Sequence, residues 1–149
     1  MLRKAFTLIE LVMVIAIIAV LAAIAMPRYA ASLARYRLDA AARRVVADLT
    51  MAQTRARITS ASQTVTFSTA TSQYTLAGMA DPEHPSATYA VRLSDDPYSA
   101  TIYSCSFTNA AVTFNGYGLP DGAGAVIIQS GSMSKTVVVD ADTGVASIQ

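Results

Sequence analysis

Cysteine and histidine are nearly missing from this sequence, and each scarcity removes a class of chemistry. Cys105 is the single cysteine among 149 residues, so the chain closes no disulfide within itself. On a strand, such a residue is more often a small buried apolar group than a reactive thiol. His84 is the single histidine, placed in a loop-like stretch between Pro82 and Pro85 and beside Asp81 and Glu83. No Cys/His spacing suits a metal, and a hydrolase would need a nucleophile, a base and an orienting group around that one exposed imidazole. No glycine-rich loop with its lysine is present to cradle phosphate. Asp140-Ala141-Asp142-Thr143-Gly144 starts like a calcium loop but lacks the distal bidentate acid, and reads better as a hairpin turn. The sequence therefore predicts no catalytic residue, no cofactor and no metal site.

Charge is sparse too, and its sign differs between the halves. Residues 1–58 carry nine Arg/Lys against three acids, Glu10, Asp39 and Asp48. Residues 59–149 carry only Arg92 and Lys135 against seven acids. DNA affinity rests on neutralising phosphates with cations, so an acidic second half should repel a duplex. Nucleic acid is not an expected partner. Hydrophobic residues make up 53% of the chain, and most of the excess lies in residues 6–26. The length suits one domain plus an anchor.

Arg3 and Lys4 precede that apolar run. From Phe6 to Met26 every residue is apolar or small except Thr7 and Glu10. As a helix this stretch extends about 31 Å, enough to cross a hydrocarbon core. A plain membrane anchor fits it. So does a cleavable secretory signal, because Ala23-Ile24-Ala25 has the small-x-small pattern of a signal-peptidase site. Neither accounts for Glu10. A carboxylate inside a spanning helix costs roughly 3 kcal/mol and asks for a partner. Cutting the chain between Ala5 and Phe6 creates one, an α-ammonium at Phe6 one helical turn before Glu10 and on the same side. That ammonium, on the same chain or a neighbour, can neutralise the carboxylate in a low-dielectric setting. A buried charge satisfied by a neighbour also fixes register in a helical assembly.

Lys4-Ala5-Phe6-Thr7-Leu8-Ile9-Glu10, followed by the apolar run and Pro27, resembles the class III leader of type IV pilins and type II secretion pseudopilins. The resemblance implies that prepilin peptidase cuts between Ala5 and Phe6 and methylates the new Phe6 amine, and that Glu10 is the assembly carboxylate. Ala5 stands where the family usually has Gly. A single pass through the inner membrane is implied, with the globular part in the periplasm until the subunit enters a periplasmic pseudopilus or extracellular pilus. The implied partners are other pilin or pseudopilin subunits, prepilin peptidase, the inner-membrane assembly platform and membrane lipid. Seven arginines between Arg28 and Arg57 do not favour that orientation by the positive-inside rule, so the topology rests on the resemblance.

Pro27 lacks a backbone donor and predicts a kink. Residues 28–58 contain no Gly or Pro and are rich in Ala, Leu and Arg, so helix resumes at once. Leu38, Ala42, Val45, Leu49, Ala52 and Ala56 recur at spacings of four and three and mark one apolar stripe for packing on a sheet. Arg35, Arg43, Arg44, Asp48, Arg55 and Arg57 fall largely elsewhere, on a face that is either solvated or paired with neighbouring subunits.

After Ser60, short alternating runs rich in Thr, Ser, Val and Tyr appear. Gln63–Ser68, with Val65 and Phe67 on one side, and Gln73–Leu76 read as a hairpin. Ala87–Leu93, Ala100–Ser104, Val112–Phe114, Ala125–Gln129, Thr136–Val139 and Val145–Ile148 complete the set. Turns fall at Asn115-Gly116, Gly118–Gly122, Ser130-Gly131 and Asp142-Thr143-Gly144. The passage from Ala41–Ala56 into a hairpin containing Val65 resembles the H-type minor pseudopilins and FimT-type minor pilins. Val112-Thr113-Phe114-Asn115-Gly116 with Gly118, and the terminal hairpin, resemble their late segments, although Gly144-Val145 replaces the family's usual Gly-Arg.

The expected fold is α+β: a long kinked N-terminal helix, membrane-spanning in its first half, packed on a C-terminal antiparallel sheet. Four segments follow: a leader at 1–5, a transmembrane and assembly helix at 6–27, its amphipathic continuation at 28–58, and a β-rich globular domain at 59–149. The resemblance implies a structural minor subunit rather than an enzyme. A pilus-associated module for DNA uptake, as among FimT-type pilins, is the alternative.

Overall fold

The computed structural model describes residues 7–81 and 84–149. Ala5 and Phe6 lie outside the described residues. Helix α1 spans Leu8–Thr59 and eight strands follow: β1 Gln63–Ser68, β2 Gln73–Ala80, β3 Thr88–Arg92, β4 Thr101–Cys105, β5 Ala111–Phe114, β6 Gly124–Ser130, β7 Met133–Val139 and β8 Ala146–Ile148. The chain divides into two compact units, Met1–Leu33 and Ala34–Gln149.

Local chemistry starts the helix in the first unit. Thr7 Oγ1 accepts the Glu10 N–H at 3.3 Å, and the Leu11 N–H donates to the Thr7 carbonyl at 3.2 Å. Thr7-Leu8-Ile9-Glu10 is thus the Thr-x-x-Glu pattern of a helix N-terminus, with the acid in the first turn, where the macrodipole favours negative charge. Helix continues unbroken through Pro27.

In the second unit the remaining helix packs on two four-stranded antiparallel sheets, ordered β3-β2-β1-β5 and β4-β6-β7-β8. All six stripe residues, Leu38, Ala42, Val45, Leu49, Ala52 and Ala56, are buried, as their spacing predicts. Burying a side chain such as Leu49 or Val45 contributes about 1.5–3 kcal/mol. The alanines leave room for large strand residues, and Tyr74, Leu76, Phe114 and Ile128 are almost fully buried beside them.

Strand alternation follows the pleat. In β1, Gln63, Val65 and Phe67 turn inward, and Val65 pairs with Leu76 of β2 and Val112 of β5. Two strands depart from simple ladders. β2 runs past Leu76 to Ala80, with a register shift against β3 between Thr75 and Ala80, and β4 shifts against β6 between Ile102 and Ser104. Cys105 is half-buried at the end of β4, where burial pushes its thiol pKa up.

The helix ends in a Schellman motif. Ala61 N–H donates to the Ala56 carbonyl at 3.2 Å and Ser60 N–H to that of Arg57 at 3.4 Å, with Ser60 in the left-handed region at φ 49. Gly116 passes close beneath this turn. A Cβ there would lie 2.9 Å from the Ser60 carbonyl atoms, so the Asn115-Gly116 turn requires glycine.

Candidate assembly site

The first unit presents an apolar surface with nothing over it. Every large apolar side chain from Leu8 to Met26 is exposed, with Leu8 at 81% and Met26 at 71%. An 18-residue window of this helix is long and apolar enough to cross a membrane, and none of it is buried. Glu10 is the single ionisable side chain among residues 8–26, and it is exposed in the first turn. Its backbone amide is bonded to Thr7 Oγ1, so Thr7 caps the helix start, a part that spacing from Phe6 did not reveal. Pro27 lies within the helix.

The second unit is held by polar side chains that flank the buried stripe. At 100° per residue Asp48 falls on one side of the stripe and Gln53 on the other. Asp48 does not belong to a solvated face, because it is only 5% exposed. Tyr74 Oη donates to its Oδ2 at 2.5 Å, Tyr89 Oη donates to Oδ1 at 3.1 Å, and Arg44 Nε donates to Oδ2 at 3.0 Å. Arg44 also donates from Nη2 to the Tyr89 hydroxyl. The carboxylate thereby ties the helix to β2 and β3. Burial, and after it the Asp48 charge, pushes the Tyr74 and Tyr89 phenols up from 10.0.

Gln53 is buried on the opposite flank, and the sequence reading missed it. Its Nε2 donates to the carbonyls of Gly118 at 2.9 Å and Thr143 at 2.8 Å. One amide thus pins two loops that are far apart in sequence. Gly144 closes against it at φ 70, where a Cβ would sit 2.6 Å from that same Nε2. Arg57 Nε donates to the Tyr117 carbonyl at 3.1 Å, and Gly118 leaves the space that its side chain occupies. The described residues contain no buried side-chain nitrogen or oxygen without a partner.

Other charges settle in the same unit. Asp39 takes Lys135 on one oxygen and Arg43 on the other, at 2.7 Å, and these two cations hold its carboxyl below the usual 3.8. Arg37 lies 3.6 Å from Asp96, and Arg55 Nη2 donates to the Gly78 carbonyl at 2.9 Å. Arg44, Arg43, Arg55 and Arg57 are therefore engaged within the unit rather than left over.

The two acidic stretches resolve simply. Asp140 Oδ1 accepts from the amides of Asp142 and Thr143 and from Thr143 Oγ1, at 2.7–3.1 Å, which folds the hairpin turn between β7 and β8. Those bonds, Thr143 first, lower its pKa. His84 is exposed, and its backbone amide bonds Asp81 Oδ1 at 3.3 Å. No group of three or more His, Cys, Asp or Glu suited to a metal occurs among the described residues.

Comparison with known proteins agrees with this division. Residues 1–26 match the prokaryotic N-terminal methylation motif, and residues 41–143 match the type II transport protein GspH family. No curated protein sequence matches the chain significantly. Among solved structures, the chain is similar to the Pseudomonas aeruginosa (strain PAO1) type IV minor pilin FimU in two crystal forms, each with a TM-score of 0.56. Identity is 14% and 13%, over 77% and 75% of this chain and 90% and 92% of those chains.

Proposed function

Because the chain belongs to the type II transport protein GspH family, we propose that it is a minor pilin or pseudopilin subunit, structural rather than catalytic. Two observations carry this: the first unit's helix is apolar with none of its membrane-length window buried, and among the described residues no buried side-chain nitrogen or oxygen lacks a partner. Such a helix is stable in lipid or against other apolar helices, and not in water. Membership of the family and the methylation motif support cleavage between Ala5 and Phe6, methylation of Phe6, and Glu10 as the assembly carboxylate. The subunit would wait in the inner membrane with its second unit in the periplasm, then leave lipid for a filament. Its partners are other pilin-type subunits, prepilin peptidase and the assembly platform.

DNA uptake is not favoured. Phosphate binding draws on cations, whereas residues 59–149 carry only Arg92 and Lys135 against seven acids, and five of the helix arginines, Arg37, Arg43, Arg44, Arg55 and Arg57, each hold a carboxylate or carbonyl of their own unit.

The mature N-terminus tests the proposal. Mass spectrometry of the protein from a host with prepilin peptidase should find a chain beginning at methylated Phe6. A chain beginning at Met26 would instead make it an ordinary secreted protein and end the assembly reading.

A further inference from the structure

One helix arginine of the second unit takes no part in holding that unit together. Arg35 is exposed and, among the described residues, has neither a hydrogen bond nor an ion pair. Beside it Tyr36 is 70% exposed, a large ring left mostly uncovered in a well-packed unit. Both line a groove of about 480 Å³, together with Leu38 of α1 and Met133 of β7. Asp39 and Lys135 line it too, but they hold each other, and Arg43 takes the second oxygen of Asp39. The groove therefore joins apolar lining to one guanidinium without a partner.

We infer that this groove binds an anionic phospholipid, with the phosphate-bearing headgroup on Arg35 and the glycerol and upper acyl region against Tyr36, Leu38 and Met133. Three observations choose this occupant. The charge is complementary, because the planar guanidinium fork matches phosphate oxygens. The apolar lining suits a ligand that carries hydrocarbon beside its charge, which inorganic phosphate does not. Arg35 also follows Met26, the end of the apolar run, by only nine residues, so the chain itself keeps the groove within about 30 Å of the lipid. Tyrosine is the ring that suits a boundary between water and lipid, and arginine can reach headgroups while its stem stays on apolar surface. The first unit has the same pair in Arg28-Tyr29, with Tyr29 72% exposed. This inference rests on the membrane-anchored reading above and gives that anchor a specific lipid contact.

The test uses the full-length chain in vesicles of equal parts phosphatidylglycerol and phosphatidylethanolamine, with a photo-crosslinking amino acid at Met133 or, separately, at Ile17. The Ile17 probe reports the membrane span and should capture both lipids without preference. The Met133 probe should capture phosphatidylglycerol about fivefold over phosphatidylethanolamine, the factor that one arginine near an anionic surface represents. Arg35→Gln should abolish that preference, whereas Arg92→Gln, which removes the same charge from β3, should leave it. Capture of both lipids from Ile17, combined with no preference, no lipid or only a second copy of the chain from Met133, would overturn the groove and leave the anchored subunit standing. So would loss of the Met133 lipid adduct on adding inorganic phosphate, because the site would then be one for a free anion. No lipid from Ile17 would remove the membrane span, and the groove with it.

Discussion

Two stretches of one helix treat apolar side chains in opposite ways. Between Leu8 and Met26 the large ones point in every direction and all are exposed, whereas between Leu38 and Ala56 most gather on one side, where Leu38, Ala42, Val45, Leu49, Ala52 and Ala56 are at most 3% exposed. The first arrangement has no inward direction, so nothing in its own chain can satisfy it. The second has a definite inside, and its flanks carry polar residues aimed at specific partners. A helix that is apolar all round needs an apolar environment; one with a stripe brings its own. The difference separates a surface made for other molecules from one made for the fold.

Substitutions can break that distinction on either side. The largest effect is expected from Glu10→Leu, which makes the first stretch wholly apolar. The subunit recovered in sheared filaments should fall roughly a hundredfold, the factor that about 3 kcal/mol represents, while the unfolding midpoint of the second unit stays put. Normal filament recovery would remove Glu10 from assembly. Next comes Asp48→Ala, which leaves the Tyr74 hydroxyl buried without its acceptor and Arg44 without its carboxylate. Urea unfolding in detergent should show a loss of roughly 3 kcal/mol. Less than about 1 kcal/mol would mean that water enters and the cluster is not a structural tie.

Gln53→Ala should cost less, roughly 1–3 kcal/mol, because it frees two loop carbonyls that can partly reach solvent. Hydrogen exchange should rise at both the 115–120 and 140–145 turns; a rise at one alone would contradict the shared pin. The pH response is smaller still. Tyr74 and Tyr89 have folded pKa values raised above 10.0, so their neutral forms contribute stability that is complete below pH 10 and declines as pH rises further. Tyr74→Phe should flatten that alkaline decline, and an unchanged slope would show that Tyr74 is not its source. Asp39→Asn belongs at the bottom of the scale. Its carboxyl is half-exposed and its ion pairs are screened by water, so thermal melts at neutral pH should barely move.

Much of this was legible in the sequence because the signals were periodic. The six residues picked out by spacings of three and four are all buried, with Ala41 buried beside them, and alternation located each of the eight strands to within a few residues. The β1–β2 and β7–β8 hairpins follow from short turns. Asp48 and Gln53 were not legible. Their partners lie 26, 41, 65 and 90 residues away, and nothing local distinguishes a helix-flank acid or amide that finds such a partner from one that faces water. The length of β2 was hidden for a related reason. Ala77-Gly78-Met79-Ala80 has no alternation, and it is strand because β3 returns beside it with a shifted register. Separation into two sheets was also invisible, since strand runs announce themselves but not their neighbours.

The order in which the strands enter the two sheets has a consequence for how the second unit is made. The chain lays down β1, β2 and β3 in one sheet, crosses to begin the other with β4, returns to finish the first with β5, and crosses again for β6, β7 and β8. Neither sheet is a contiguous piece of sequence. The first lacks its β5 edge until residue 114 is available, and β4 has no ladder partner until β6 arrives. Local helix can form early, but both sheets wait on contacts that are distant along the chain and close almost together. Folding should therefore be a single cooperative event once the last strands are available, and a chain cut short anywhere before β6 should yield no stable half.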